Sequence, residues 1–280
     1  MIKQNPFSVY DFLGYLVPGS ILIYSYLIVD FAKKHSEFVL KEFTEEFLDL
    51  KFEGIFFFVI LSYTLGHLIS FLSSVTVEKY ANWTYSYPSK YLLDMEFKSF
   101  WKSILNWKDF IWRLIIIVIL FPCILFDLIF GQFLGFKRFY TKELDKLLQD
   151  IIVHKLNMLL IKLGIQNIDG YTQFEDGKGN DYDFHRIATH YAYENSKNHQ
   201  SKMSNYVALY GFLRTLSLIF NVLAIYTFIR VWLYLEFDWK NILIILTLSG
   251  ISYLSFMAFM KFYRRYTLEG LMIIAIDETL

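Results

Sequence analysis

Residues 54–77 read GIFFFVILSYTLGHLISFLSSVTV, a stretch without a single Asp, Glu, Lys or Arg. A helix needs about 20 mostly apolar residues to cross the hydrocarbon core of a bilayer. Three further blocks reach this length, namely 8–31, 209–237 and 241–263. None of the four alternates apolar and polar residues as a barrel strand does, so the sequence predicts four membrane-spanning helices.

The composition agrees with a membrane protein. Apolar residues make up 55% of the 280 residues and charged residues 19%, below the roughly 25% of soluble domains. The formal net charge is zero, so charge does not point to a nucleic-acid or acidic partner. Cys123 is the only cysteine in the sequence, which excludes an internal disulfide and a Cys-rich metal site.

A fifth apolar block, 111–134, is interrupted by Pro122. Proline inside a helix removes a hydrogen bond and clashes with the preceding turn. The block could therefore form a kinked span, a re-entrant pair of half-helices or a helix lying in the membrane interface. Five spans would place the two ends of the chain on opposite faces of the membrane, and four spans would place them on the same face.

Charges beside the spans bear on this choice, because Lys and Arg favour the cytoplasmic face. Lys137 and Arg138 follow the fifth block, whereas the loop 32–53 is rich in Glu, although Lys33 and Lys34 in that loop oppose the assignment. We expect an all-α membrane protein with four spans, one re-entrant or interfacial segment and a small helical cytoplasmic domain. Both termini are expected on the cytoplasmic side of a bacterial inner membrane.

The predicted organisation has four parts. Residues 1–80 form a first pair of spans with an acidic outer loop, and 81–136 form a cytoplasmic linker and a proline-broken apolar hairpin. Residues 137–208 form a helical sensor domain, and 209–280 form the second pair of spans and a tail. Within the sensor domain, apolar residues recur every three or four positions from Leu144 to Leu163, which predicts an amphipathic helix that ends at Gly164.

Small and polar side chains line one side of the second and third spans. They are Ser62, Gly66, His67, Ser70 and Ser74 in the second span, and Arg214, Ser217 and Asn221 in the third. Such residues let membrane helices approach closely and hydrogen-bond to each other, and they also line pores. A helix seam is the commoner explanation, but an ionisable residue within a span usually faces an interior or a water-filled path.

The soluble part contains cations interleaved with aromatic residues. The candidate ligand-binding residues are Lys178, His185, Arg186, Tyr191 and Lys197. Cations beside stacking surfaces suit a nucleotide or a single-stranded nucleic acid, but solvated helix faces explain the same pattern more often.

Metal binding and catalysis are weakly indicated. His190 and Glu194 lie one helical turn apart, as two metal ligands would, but no metalloprotease motif surrounds them. The sequence contains no nucleophile elbow and no phosphate-binding glycine loop. We therefore predict no metal, no cofactor and no enzyme activity. A lipid-modifying enzyme that uses His67 or Asp127 stays as an alternative.

The opening segment PFSVYDFLGYLVPG (6–19) and the closing segment YRRYT (263–267) resemble those of bacterial membrane families. The layout of spans, helical domain and further spans resembles the membrane components of anti-phage defence systems of the Hailong or Kiwa type. The resemblance implies an oligomeric effector that perturbs the inner membrane when its cytoplasmic domain receives a signal. The alternative is a non-conducting sensor or scaffold that recruits a protein partner encoded nearby.

Overall fold

The computed structural model describes residues 11–34, 39–47, 52–95, 107–165, 184–195, 197–235 and 237–280. Every regular element in these ranges is a helix, so the prediction of an all-α protein is confirmed. The α-helices of the described ranges are α1 (Val17–Lys34), α2 (Leu40–Phe47), α3 (Phe52–Val75), α4 (Val77–Tyr85), α5 (Pro88–Tyr91), α6 (Trp107–Phe126), α7 (Lys146–Lys162), α8 (Phe184–Asn195), α9 (Lys197–Tyr234) and α10 (Trp239–Ala275). A π-helical segment, Phe12–Leu16, leads into α1, another, Asp127–Phe133, extends α6, and a 3-10 helix, Phe136–Phe139, follows.

Five helical stretches are long and apolar enough to cross a membrane, which agrees with a multi-pass membrane protein. They are Phe12–Phe31, Phe52–Tyr91, Trp107–Phe133, His199–Tyr234 and Trp239–Ala275, one more than the four predicted. In the most apolar 18-residue part of each of the first two stretches, only 17% is buried within the chain. Most of that apolar surface must therefore be covered by lipid or by other protein.

The block that contains Pro122 is a continuous helix. α6 runs through the proline from Trp107 to Phe126, and the π-helical segment continues the helix to Phe133. The predicted proline-broken hairpin of two half-helices is not formed in this segment. The side chain of Asn221, in α9, hydrogen-bonds to backbone groups on both sides of the proline.

The chain divides into two compact units, each assembled from separate stretches of sequence. Unit 1 comprises Met1–Glu78, Ile115–Asp127 and Gly211–Phe256. Unit 2 comprises Lys79–Leu114, Leu128–Tyr210 and Met257–Leu280. The stretch 137–208 is thus completed by residues that precede and follow it in the sequence.

The amphipathic helix predicted in unit 2 is α7. The Asp145 carboxylate caps its first turn by accepting a hydrogen bond from the Leu148 N–H at 3.0 Å. Gly164, with φ of +91°, follows its end. The core that α7 joins draws on four parts of the sequence, with Leu92, Leu93, Ile152, Leu156, Leu159, Ala188, Leu271, Ile274 and Leu280 among its buried members.

The helix that enters the fourth candidate span starts earlier than the sequence suggests. Ser204 and Asn205 are favourable capping residues, but α9 begins at Lys197. Met203 is buried against Ala192 and Ile273 within unit 2. This packing contributes to the stability of the two helical turns that precede Ser204.

Candidate functional site

Two glycines bring α1 and α3 into backbone contact within unit 1. A Cβ atom on Gly19 would overlap the carbonyl oxygen of Ser62 and lie 2.9 Å from the backbone nitrogen of Gly66. A Cβ atom on Gly66 would overlap the carbonyl oxygen of Tyr15. Ser62 is fully buried beside this crossing. Small side chains therefore permit this close approach, as in other membrane-helix seams.

His67 lies next to that crossing but faces outward. Its ring stacks on the Tyr15 ring, with centroids 3.6 Å apart and an angle of 17° between the planes. The Tyr63 ring meets it edge-on at 4.6 Å. The residue is nevertheless exposed on the surface of the chain. An imidazole on an aromatic platform is thus presented near the middle of a predicted span.

The serines at the end of α3 bond to their own helix. The Ser73 hydroxyl donates to the Ser70 carbonyl oxygen at 2.7 Å, and the Ser74 hydroxyl donates to the Phe71 carbonyl oxygen at 2.7 Å. The Ser73 and Thr215 hydroxyls also lie 3.3 Å apart across the contact between α3 and α9. These hydroxyls satisfy backbone groups and join two helices.

Arg214 of α9 forms an ion pair with Glu78 of α4. Its Nε donates to the Ser73 hydroxyl at 3.0 Å, and a terminal nitrogen donates to the Ser70 carbonyl oxygen at 3.4 Å. The Arg214 side chain is only 13% exposed. The arginine therefore neutralises a nearby carboxylate and binds a carbonyl in the last turns of α3, where cations are favoured.

The side-chain amide of Asn221, in α9, hydrogen-bonds to the backbone of α6 beside Pro122. Its side-chain oxygen accepts a hydrogen bond from the Cys123 N–H at 3.0 Å, and its side-chain nitrogen donates to the Ile119 carbonyl oxygen. An uninterrupted helix would join those two backbone groups to each other, since they are four residues apart. The amide is thus inserted into the helix beside Pro122, which explains a polar side chain at this depth.

Further polar contacts join α9 to α6 and α10. The Ser252 hydroxyl donates to the Ser217 carbonyl oxygen at 2.8 Å, and the Cys123 sulfur lies 3.9 Å from the Ser217 hydroxyl oxygen. All three residues are buried. The candidate seam residues that face inwards are engaged in helix packing, and His67 is the member of the predicted set that is exposed at the surface.

The predicted ligand-binding residues do not form one site in the part of the chain that the structure describes. Lys178 lies outside the described residues, Arg186 is exposed on α8, and Lys197 is the first residue of α9. The His185 ring meets the Tyr266 ring edge-on at 6.3 Å. Tyr191 instead donates a hydrogen bond to the Asp277 carboxylate at 2.7 Å.

The contact between Tyr191 and Asp277 holds residues 276–280 against unit 2. The Thr279 N–H and hydroxyl both donate to the Asp277 carboxylate at 2.8 Å. Partial burial raises the pKa of Asp277, but these hydrogen bonds outweigh burial and hold its pKa below the usual value. Lys155 donates to the backbone oxygens of Asp277 and Leu280, which strengthens the same attachment.

The histidines and acids considered as metal ligands have other contacts or lie apart. His199 Nδ1 is 2.7 Å from Glu269, and Lys202 donates to the same carboxylate at 2.7 Å. His190 and Glu194 are both exposed on α8. Within the described ranges, no group of three or more His, Cys, Asp or Glu could hold a metal ion.

A cavity in unit 2 was not predicted from the sequence. Its volume is about 1080 Å³, and its lining includes the cations Lys137, Arg138, Lys142 and Arg264. The sequence analysis used Lys137 and Arg138 only as charges that indicate the cytoplasmic side of the membrane. Their link to Arg264 depends on contacts between residues more than 100 positions apart in the chain.

The chain was also compared with known proteins. No family model matches it, and neither a curated protein nor a solved structure shows significant similarity to it.

Proposed function

We propose that this chain is an oligomeric multi-pass effector of a bacterial inner membrane, a gated channel or membrane-perturbing protein controlled through unit 2. Its place in anti-phage defence follows from the resemblance in layout described above. Unit 1 provides the membrane-embedded helices, and unit 2 provides a folded domain that could receive a signal. The proposal depends chiefly on His67.

The exposed imidazole of His67 is the observation that supports this function. An ionisable side chain within a span is costly in lipid and usually faces protein or water. The rest of the exposed surface of α3 is strongly apolar, with Phe57 at 66% and Phe71 at 65% exposed. A second copy of the chain, or a water-filled path between copies, would cover the imidazole. Both possibilities require an oligomer.

Cysteine cross-linking tests the assembly. Thr64 is exposed on α3, one turn before His67, so Thr64→Cys should form disulfide-linked dimers in native membranes under mild oxidation. The wild type is the first control, since its Cys123 is buried. Leu243→Cys, at an exposed position of α10, is the second. Equal cross-linking of both variants, or none, would argue against an interface at α3.

Liposome flux tests conduction. Purified full-length protein should release a trapped ion-sensitive dye, and His67→Leu should change that release while leaving the oligomer size unchanged. His154→Leu, at an exposed position of α7 in unit 2, is a matched control outside unit 1. If wild-type protein that forms the expected oligomer releases nothing under any candidate signal, the channel hypothesis fails and the oligomer alone survives.

The core of unit 2 supports a topology with an even number of crossings. The Leu144 N–H donates to the Leu92 carbonyl oxygen at 3.2 Å, and Leu280 belongs to the same core. A bilayer cannot divide one hydrophobic core. This shared core favours a topology in which Met95 and Phe136 lie on one side of the membrane, although the helix Trp107–Phe133 is long enough for a span. With four other spans, we propose that both termini lie on one face of the membrane, and the basic residues of unit 2 favour the cytoplasmic face.

Accessibility of single cysteines tests this topology. Lys90→Cys, Lys142→Cys and Glu278→Cys should all react with a membrane-impermeant thiol reagent from the cytoplasmic side of inverted vesicles. Phe237→Cys, in the short connection between α9 and α10, should react from the opposite side. Labelling of Lys90→Cys and Lys142→Cys from opposite faces would contradict the proposal.

A second candidate function is the recruitment of a soluble partner, and the outer face of α7 supports it. Leu147, Ile151, Met158 and Ile161 recur at spacings of four, seven and three residues, and Leu147 is 71% exposed. This apolar stripe lies on the opposite side of the helix from the residues in the core. Such a stripe is typical of a surface that receives another helix.

Charged substitutions in the stripe test recruitment. Ile151→Glu with Met158→Glu should abolish co-purification with the product of an adjacent gene when the two are co-expressed. The matched control, Lys146→Gln with Asp150→Asn, removes an exposed ion pair on the same helix. Unchanged co-purification of the glutamate variant would eliminate this function for α7.

A further inference from the structure

The cavity in unit 2 carries an excess of positive charge. Four cationic side chains, Lys137, Arg138, Lys142 and Arg264, line it together with two carboxylates, Glu143 and Asp145. The Asp145 carboxylate accepts the hydrogen bond from Leu148 at the start of α7, so the helix N-terminus partly offsets its charge. The lining thus has two more cations than carboxylates, and one of those carboxylates is a helix cap.

The walls of the cavity are ordered by their own contacts. Arg264 Nε donates to the Lys142 carbonyl oxygen at 2.8 Å, which ties α10 to the segment before α7. A guanidinium has five N–H donors, and this bond uses one of them. On the aromatic side, the Tyr140 hydroxyl donates to the Tyr85 hydroxyl at 3.2 Å, and the Tyr91 hydroxyl donates to the Tyr140 carbonyl oxygen at 3.3 Å.

The lining residues follow directly on apolar helical segments. Lys137 and Arg138 come shortly after the stretch Trp107–Phe133, and Arg264 comes directly after the apolar block 241–263. Tyrosines and basic residues at such positions are typical of the level of lipid headgroups. Basic pockets beside membrane helices on the cytoplasmic side bind anionic headgroups.

We propose that this cavity is a binding site for a phosphate group, carried either by an anionic lipid headgroup or by a soluble phosphate compound. Arginine and lysine are the side chains that bind phosphate oxygens most effectively, and the hydroxyls of Thr84 and Thr141 add neutral donors to the lining. The cavity is largely open to its surroundings, and its volume of about 1080 Å³ leaves room for a headgroup or a nucleotide. The site does not depend on whether the protein conducts.

Binding is measured with two probes on the full-length protein. One arm compares nanodiscs of phosphatidylcholine with nanodiscs that also contain phosphatidylglycerol. The other arm adds adenosine triphosphate to protein in phosphatidylcholine nanodiscs. The readout in both arms is the unfolding temperature, supported by bound phosphorus per protomer after washing.

The test variant carries Lys137→Gln, Arg138→Gln and Lys142→Gln, three exposed positions that should not disturb folding. We expect its affinity for the effective probe to fall by about a hundredfold, as loss of three cations near a membrane surface implies. The matched control carries Lys41→Gln, Lys108→Gln and Lys240→Gln, which remove the same charge from exposed positions outside the cavity lining. It should bind like the wild type.

Each outcome decides the question. Stabilisation by phosphatidylglycerol alone identifies a lipid site, and stabilisation by the triphosphate alone identifies a soluble ligand. No stabilisation by either probe, or an equal loss in the control variant, overturns the proposal. Glu143→Gln removes a carboxylate from the lining and should tighten binding several-fold. That opposite sign keeps the test valid if the triple variant folds poorly.

Discussion

The side-chain oxygen of Asn221 accepts a hydrogen bond from the Cys123 N–H at 3.0 Å, directly after a proline that interrupts the backbone of α6. The same amide binds the Ile119 carbonyl oxygen on the other side of the interruption. The amide thus adds two hydrogen bonds from a neighbouring helix to backbone groups on either side of the proline. This relationship makes the position of α9 against α6 specific, because a shift along either helix would leave three polar groups without partners in an apolar setting.

Replacement of that amide should destabilise the protein in a way that depends on the proline. Asn221→Ala should cost about 1–2 kcal/mol, since it leaves buried backbone groups without their partners. In a Pro122→Ala background the loss should be smaller, because the helix can then restore the bond between Cys123 and Ile119. A double-mutant cycle on unfolding temperatures in detergent measures the coupling. Equal losses in both backgrounds would contradict this account.

The crossing of α1 and α3 should not tolerate a methyl group. Gly19→Ala and Gly66→Ala each place a Cβ atom on a carbonyl oxygen of the opposite helix, so each should cost about 3 kcal/mol or more. Gly211 of α9 is the control, because a Cβ atom there meets nothing within 4 Å. Gly211→Ala should leave stability unchanged or raise it slightly. Thermal unfolding of the three variants decides, and similar behaviour of all three would disprove the seam.

The ion pair between Arg214 and Glu78 should contribute to stability because each charge neutralises the other. Arg214→Gln leaves a largely buried carboxylate without its cation, and we expect a loss of about 3 kcal/mol. Removing both charges with Arg214→Met and Glu78→Gln should recover most of that loss, since replacing a buried pair is often nearly neutral. If the double variant is as unstable as the single one, the hydrogen bonds to Ser70 and Ser73 carry the contribution instead.

The attachment of residues 276–280 should weaken in acid. The folded-state pKa of Asp277 is lowered, so its contribution to stability is fully present above the unfolded pKa of about 3.9 and is lost as the pH falls through the folded value. The protection factor of this segment, which compares its exchange rate with that of an unfolded chain at the same pH, should therefore fall below about pH 4. Tyr191→Phe removes one donor to the carboxylate and should reduce the pH dependence. A protection factor that is the same at all pH values would contradict the role of Asp277.

Much of the fold could be read from the sequence because membrane insertion depends on local composition. The uncharged run 54–77 and the other apolar blocks predicted helices that the structure contains, and the spacing from Leu144 to Leu163 predicted α7 with its end at Gly164. Gly66 and Asn221 were also among the small and polar residues predicted to line contacts between helices. Length, hydropathy and helical periodicity are properties of contiguous residues, so they need no knowledge of the remaining chain.

Pairings between distant residues were decided only by the tertiary structure. The sequence showed a proline in 111–134 and an asparagine in 209–237, but not that the asparagine side chain hydrogen-bonds to the helix backbone beside the proline. It showed Lys137 and Arg138 as flanking charges, but not the cavity that they share with Arg264. These contacts depend on which helix faces pack together, a choice set by the combined free energy of many weak long-range contacts. The surroundings of His67 likewise depend on the tertiary structure, because a neighbouring helical segment covers one side of its ring and leaves the other side exposed.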